Sequence, residues 1–484
     1  MVFDKLKELG IPPSGLCSDE VFVRRAFLDV TGTLPTAQEA RDFIRSENKD
    51  KRSALIDELL QHDQCAEYWT MKWCDLLRVK AEFPSNLWPN GAQAYHEWIR
   101  SCLKQNMPYD KFAKELLTSN GSNFRVPQVN FYCSLPRNNP QKILDGVALT
   151  FMGMRTKNWS AEQRAGMEAF FARIGYKSTG EWKEEIIFFD PSGALTNSTT
   201  GKPQMPTPLG AAPIPLAADS DPRVAFADWL TTTDNPWFPQ NIVNRIWAWL
   251  LGRGIIHEPD DIRPDNLPQN PEVLKYLEQE LVSHNYDLQH IYRIILNSRT
   301  YQLSAEPTDK NRDDVANFSH YYVRRLDAEV LLDALCLITG TSEDYTSQIP
   351  EPFTFIENQR AISLADGSIT SPFLELYGRP SRDTGFESER NNKPSTAQRL
   401  HFLNSTHVLD KLKRGNALRP AIGKIPGDGN KIQMLYLTIL SRFPTEEEEN
   451  TAYRYLHTDK RLPKEAWMDL AWALLNTKEF MYRH

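Results

Sequence analysis

The chain has 484 residues, 40% of them apolar, and carries 56 Lys and Arg against 63 Asp and Glu for a net charge of −7. That length exceeds one ordinary core and predicts two or more domains, with 12 Trp, 17 Tyr and 23 Phe to fill them. Mild acidity without a basic stripe excludes an electrostatic reader of nucleic acid, and no apolar run approaches the ~20 residues that cross a bilayer.

Met1 leads straight into the amphipathic "VFDKLKELGIPPS" with no signal peptide, so either the protein is cytoplasmic or the numbering begins after a removed export segment. "RRAFLDVTGTLPT" places Arg25 and Asp29 at i,i+4, an ordinary helix pair. Thr36 with Glu39 forms a capping box: the Thr oxygen takes a free N–H and the Glu reaches back. The device recurs at Ser160 with Gln163, where Gly175 reads as the helix stop, and at Thr445 with Glu448. "EYWTMKWCDLLRV" sets Trp69, Trp73, Leu76 and Leu77 on one core-facing stripe, with Asp75 and Arg78 beside it. Carbohydrate stacking is the alternative, with Trp88 of "SNLWPNG" as an exposed platform. His96, His401 and His407 read as helix-surface or capping residues. "MPYDKFAKELLTS" and "NYDLQHIYRIILNS" echo each other, and shared capping explains this without an internal repeat. Asn139-Pro140 opens a helix whose Ile143, Leu144, Val147, Phe151 and Met152 make one stripe.

The composition changes after Gly175. "EEIIFFD", a turn at Pro191-Ser192-Gly193 and "ALTN" suggest a small hairpin, followed by a Pro- and Ala-rich linker up to residue 222. Helical patterning then resumes, interrupted by a long irregular region at 343–396, where function often resides. Six cysteines at 17, 65, 74, 102, 133 and 336 show no metal-ligand or haem spacing and read as buried free thiols.

The stretch "NIVNRIWAWLLGRGIIHEPDDIRPDN" ends a Trp-rich helix in a charged turn. Arg245 sits among core positions and needs a carboxylate, which Asp260 or Asp261 can supply. An ion-pair clamp is the favoured reading, and a working Asp/Arg/His site with His257 as base is the alternative. The calcium-loop frame fails because Arg263 and Asn266 occupy its third and sixth positions. No nucleophile-elbow, phosphate-loop or dinucleotide motif occurs. "GRPSRDTGFESER" clusters Arg379, Arg382, Glu387, Glu389 and Arg390; alternating signs favour internal pairing, with an anion or acidic-sugar site as the alternative.

These segments resemble a known family. "RRAFLDVTGTLPT", "PYDKFAKELL" and "ALTFMGMR…AFFARI" resemble the planctomycete cytochrome-associated domain of unknown function. "DPRVAFADWL…IRPDN", "NSRTYQLS", "YYVRRLDAEVLLDAL" and "LLNTKEF" resemble the planctomycete-specific partner domain that follows it. The resemblance implies export, and association with c-type cytochromes or sugar-binding modules. In the family pattern, the equivalent of Met152-Gly153-Met154-Arg155 continues into a Cys-Ala-x-Cys-His-x-His-Pro-Phe segment, whereas here "TKNWSAEQ" follows directly. A Cys-Glu-Cys-Glu-Arg segment is likewise replaced by Phe386-Glu387-Ser388-Glu389-Arg390. The coincident losses imply that both Cys sets belong in relatives to one metal or haem-type centre, which this chain lacks.

The expected fold is mainly α: helical domains at 1–175 and 223–484, joined by a hairpin and Pro-rich linker at 176–222. The expected role is binding or scaffolding in a periplasmic or extracellular polysaccharide- or cytochrome-linked system, with no cofactor, no metal and no nucleic acid. Candidate cleft residues are Arg245, His257, Asp260, Asp261, Arg379, Arg382, Glu389 and Arg390, with Trp88 for sugar stacking. The alternatives are a glycan-active enzyme using carboxylates and histidines in an interdomain cleft, and a metalloprotein with dispersed His, Asp and Glu ligands.

Overall fold

The computed structural model describes residues 1–196, 200–350, 353–354, 358–458 and 463–484. It is mainly helical, 52% helix and 5% strand. Local chemistry sets the helix starts. Thr36, Ser160 and Thr445 each accept from the N–H three residues on, and Glu39, Gln163 and Glu448 reach back to close the box. Asn139 caps the Pro140–Met152 helix by accepting from the Lys142 N–H. The Tyr-Asp echo is only half a shared device: Asp287 caps its helix, whereas Asp110 lies inside the first turn of Tyr109–Thr118. The two segments touch, the Tyr109 N–H donating to the Tyr286 carbonyl at 3.1 Å.

Two expectations change around Gly175. The helix from Ala161 ends at Glu168, and Gly175 sits in strand β2 (Ile174–Ser178). A Cβ there would meet the Phe188 ring at 2.5 Å, so close strand packing, not a helix stop, requires the glycine. The hairpin pairs β2 with β3 (Glu185–Phe189), with Tyr176 opposite Ile187, and β1 (Gly121–Ser122) adds to the other edge of β3. The "ALTN" stretch is not its partner: Thr196 bridges to Pro203, and Asn197 lies outside the described residues.

One cluster of buried side chains runs from Cys17 to Phe480. Helix Asp19–Val30 lies within it and reads the end of the chain. The Arg24 guanidinium donates to the carbonyls of Ile439 at 2.9 Å and Phe480 at 3.0 Å, and Arg25 to those of Leu303 at 3.0 Å and His484 at 2.9 Å. The expected Arg25–Asp29 pair is thereby displaced: Asp29 takes Arg483 at 2.9 Å and Arg324 at 3.2 Å. The pairing of β4 (Arg324–Arg325) with β5 (Tyr482–Arg483) delivers both. All six cysteines are free, five buried and Cys336 half-buried, and burial pushes the Cys65 and Cys74 thiols up to about 12.

His96 is not a surface residue. It is 6% exposed on helix Trp88–Lys104, and neither ring nitrogen has a partner among the described residues. Burial pulls its pKa down to about 4. The unfolded imidazole, near 6.5, takes up a proton that the folded one refuses, so stability is lost as pH falls between those values, by roughly 3 kcal/mol. His96→Leu should remove this loss. Urea midpoints of variant and wild type should therefore diverge from about pH 6.5 down to about pH 4; parallel pH profiles would refute the assignment.

Candidate functional site

The Pro140–Met152 helix stops at Gly153, whose φ of 63° turns the chain sharply. A Cβ at Gly153 would meet Asn241 Oδ1 at 2.7 Å and the Pro259 carbonyl at 2.9 Å, so only glycine allows this approach. The Gly153 carbonyl accepts from the Ile262 N–H at 2.9 Å, fixing the exit. Met154, Arg155, Thr156 and Lys157 then run along one wall of a cavity of about 500 Å³. The facing wall carries Asp383, Thr384 and Phe386. There Gly385, at φ 73°, lets the chain pass within 2.7 Å, measured from an ideal Cβ, of the Leu76 carbonyl. The Arg155 guanidinium lies over the Phe386 ring at 5.3 Å. The two places where the chain departs from the family pattern thus line one open space and meet where Arg155 lies on Phe386, which borders that space without filling it.

The charged groups of the lining are mainly cationic, Arg78, Lys142, Arg155, Lys157 and Arg164 against Asp145 and Asp383. Arg78, 5% exposed and held at φ 57°, donates from Nε to the Thr384 carbonyl at 2.9 Å, and its Nη1 has no partner among the described residues. Burial pulls its pKa down to about 10 against the opposing influence of Tyr95, Glu389 and Asp260. Lys157 and Arg164 line the same cavity and make no ion pair among the described residues. The two lining carboxylates are already engaged: Asp145 by Lys142 at 3.1 Å and by the Thr156 hydroxyl, and Asp383 by Lys80 at 2.6 Å. No Cys or His is among the lining residues.

The charged turn after the Trp237–Leu251 helix is a clamp. Arg245 and Asp260, each with a side chain 1% exposed, pair at 2.7 Å. The other Asp260 oxygen accepts from the Glu387 N–H at 2.6 Å. Asn244 holds Ile256 by two hydrogen bonds, of 2.9 and 3.0 Å. The neighbouring Asp261 points the other way, toward Arg263 at 3.2 Å and Arg155 at 4.0 Å. His257 is exposed and its ring contacts neither member of the clamp, so the structure does not assemble the Asp/Arg/His alternative.

The Arg379–Arg390 cluster is also turned inward, and its pairing is not internal. Arg382 and Arg390 grip Asp75 at 3.0 and 2.6 Å. Arg390 and Arg379 grip the fully buried Glu329 at 2.7 and 3.4 Å. Glu389 accepts from the backbone N–H groups of Asp383 and Thr384 at 2.8 and 3.2 Å, closing the loop. These guanidiniums already hold carboxylates and are not free for a ligand. Trp88 is half-buried and packs on Phe353 at 5.6 Å, so it is not an exposed platform. Sequence reasoning placed Arg78 beside a core stripe and passed over Lys157 and Arg164; the available signal was that both flank the segment where the family's Cys and His residues are missing.

Comparison with known proteins matches residues 1–174 to PSCyt2, a protein of unknown function (DUF1549), and residues 222–456 to PSD1, a protein of unknown function (DUF1553). No curated protein and no solved structure matches the chain.

Proposed function

Because the chain belongs to the planctomycete, cytochrome-associated type in which a PSCyt2 domain precedes a PSD1 domain, we propose that it is a binding and scaffolding protein whose Arg78 cavity seats an acidic saccharide. The observation that carries this reading is Arg78 itself. Glu389 and Asp260 act on this buried guanidinium only through space, and an incoming carboxylate would supply the direct charge-assisted bond it lacks. Arg155 over Phe386 gives a flat wall, and Lys157 and Arg164 supply positive field at the cavity for an anionic chain. Asp145 and Asp383 are each tied to a lysine, which favours binding over glycoside hydrolysis. The setting we infer is the periplasm or cell exterior, beside a cytochrome-bearing partner, on the strength of the family type alone.

Calorimetric titration with oligogalacturonate tests this. Saturable binding should weaken with added salt and fall at least about tenfold in the Lys157→Gln/Arg164→Gln double variant, since a charged hydrogen bond contributes about 1.5 kcal/mol or more. Neither residue is buried, so the variant should keep its fold. Equal binding of a neutral oligosaccharide, no binding of the acidic one, or wild-type affinity in the variant would each overturn the reading.

A further inference from the structure

Helices Pro271–Ser283 and Leu288–Asn297 pack on each other across a short turn, soon after the clamp in sequence. Asn285 and Tyr286, at φ 54° and 59°, turn the chain between them. Glu280 lies in the last turn of the first helix, His284 is the residue just past its end, and His290 comes from the first turn of the second. His290 Nε2 lies 2.8 Å from Glu280 Oε2, and His284 Nδ1 lies 3.5 Å from the same oxygen. The two imidazoles are face to face, with centroids 3.7 Å apart. His284 Nδ1 is also 2.9 Å from the Glu280 carbonyl and 3.1 Å from Ser283 Oγ. Candidate ligand atoms of the three side chains all lie within 4.8 Å of one another.

We propose that Glu280, His284 and His290 bind a late first-row divalent cation of the zinc type. Ligands at ~2.1 Å in a tetrahedral shell stand ~3.4 Å from one another; the 3.5 Å contact of His284 Nδ1 with Glu280 is already of that size, and the 2.8 Å hydrogen bond of His290 with Glu280 would open by about 0.6 Å on loading. A cation accepts all three donors at once. Two imidazoles and one carboxylate are a set that zinc takes with its fourth position open. Here that position faces solvent, because the His284 side chain is 48% exposed. Asp287 caps the second helix through the His290 N–H at 3.0 Å and so fixes the third ligand's backbone. The site is independent of the Arg78 cavity, with which it shares no residue.

The test is calorimetric titration of chelator-treated protein with Zn²⁺ alone, alongside thermal unfolding with and without the ion. Wild type should bind one Zn²⁺ per chain and unfold at a higher temperature in its presence. His290→Ala and His284→Ala should each weaken binding by at least about tenfold and abolish the thermal shift. Glu280→Gln, which keeps a hydrogen-bond acceptor but loses the charge, should weaken binding as well. All three side chains are at least a fifth exposed, so circular dichroism should show the variants folded. Absence of Zn²⁺ binding to wild type, or binding unchanged in both histidine variants, would overturn the proposal.

Discussion

Asp260→Ala should lower the stability of the folded chain by about 3–5 kcal/mol, the usual consequence of removing one partner from a buried ion pair. Asp260 and Arg245 are equally inaccessible, each with a side chain 1% exposed, so solvent cannot replace the lost charge. The remaining carboxylate near Arg245 is Glu387, 3.9 Å away and already accepting from the Trp249 indole at 2.9 Å. The Glu387 N–H would lose its acceptor too, loosening the loop that carries Phe386. An Arg245→Met/Asp260→Leu double variant should recover much of the loss, because removing both charges leaves neither one orphaned. Denaturant midpoints of the single and double variants measure this. A wild-type midpoint for Asp260→Ala would sink the clamp.

Arg390→Ala should have a comparable or larger effect. Its guanidinium is the shared counterion of Asp75 at 2.6 Å, Glu329 at 2.7 Å and Asp327 at 3.6 Å, and the last two are fully buried. The surrounding cations hold Asp327 well below the usual carboxylate range, so it stays charged at neutral pH and needs them. Losing about 3–5 kcal/mol from a fold that has typically 5–15 in reserve should move much of the variant into the insoluble fraction. Arg390→Lys should recover only part, since a lysine cannot form the paired bonds to Glu329, of 2.7 and 3.0 Å, that the planar fork makes. Soluble yield and denaturant midpoint are the measurements, and an Arg390→Ala protein indistinguishable from wild type would refute the role assigned to it.

What the sequence made legible was local. The capping boxes at Thr36, Ser160 and Thr445 depend on residues three apart, and all three form. Arg245 was readable as a clamp because its carboxylate lies only 15 residues away. The partners of Arg379, Arg382 and Arg390 were not readable. Asp75 is more than 300 positions distant from Arg390, and a nearer sequence neighbour of opposite sign was the natural guess. His96 escaped for the converse reason: its neighbours in "YHEWIR" are those of a surface helix, and only the packing of distant segments buries it. Two coincident departures from a family pattern drew attention to the segments that line the cavity, but none of the eight residues expected in a cleft lies on it. Its charge was not readable, because Arg78, Lys157 and Arg164 converge only in three dimensions.

The reach of Arg24 and Arg25 to carbonyls 415 and 459 positions later bears on how the chain is made. A ribosome adding 5–20 residues per second emits those carbonyls roughly 20 to 90 seconds after the guanidiniums that need them. During that interval helices Ala37–Arg45 and Lys51–Gln61 already cover much of the apolar face of Asp19–Val30, and water holds the two guanidiniums. The expected order is therefore a local helical cluster first, with the guanidinium contacts to Ile439, Phe480 and His484 made after it.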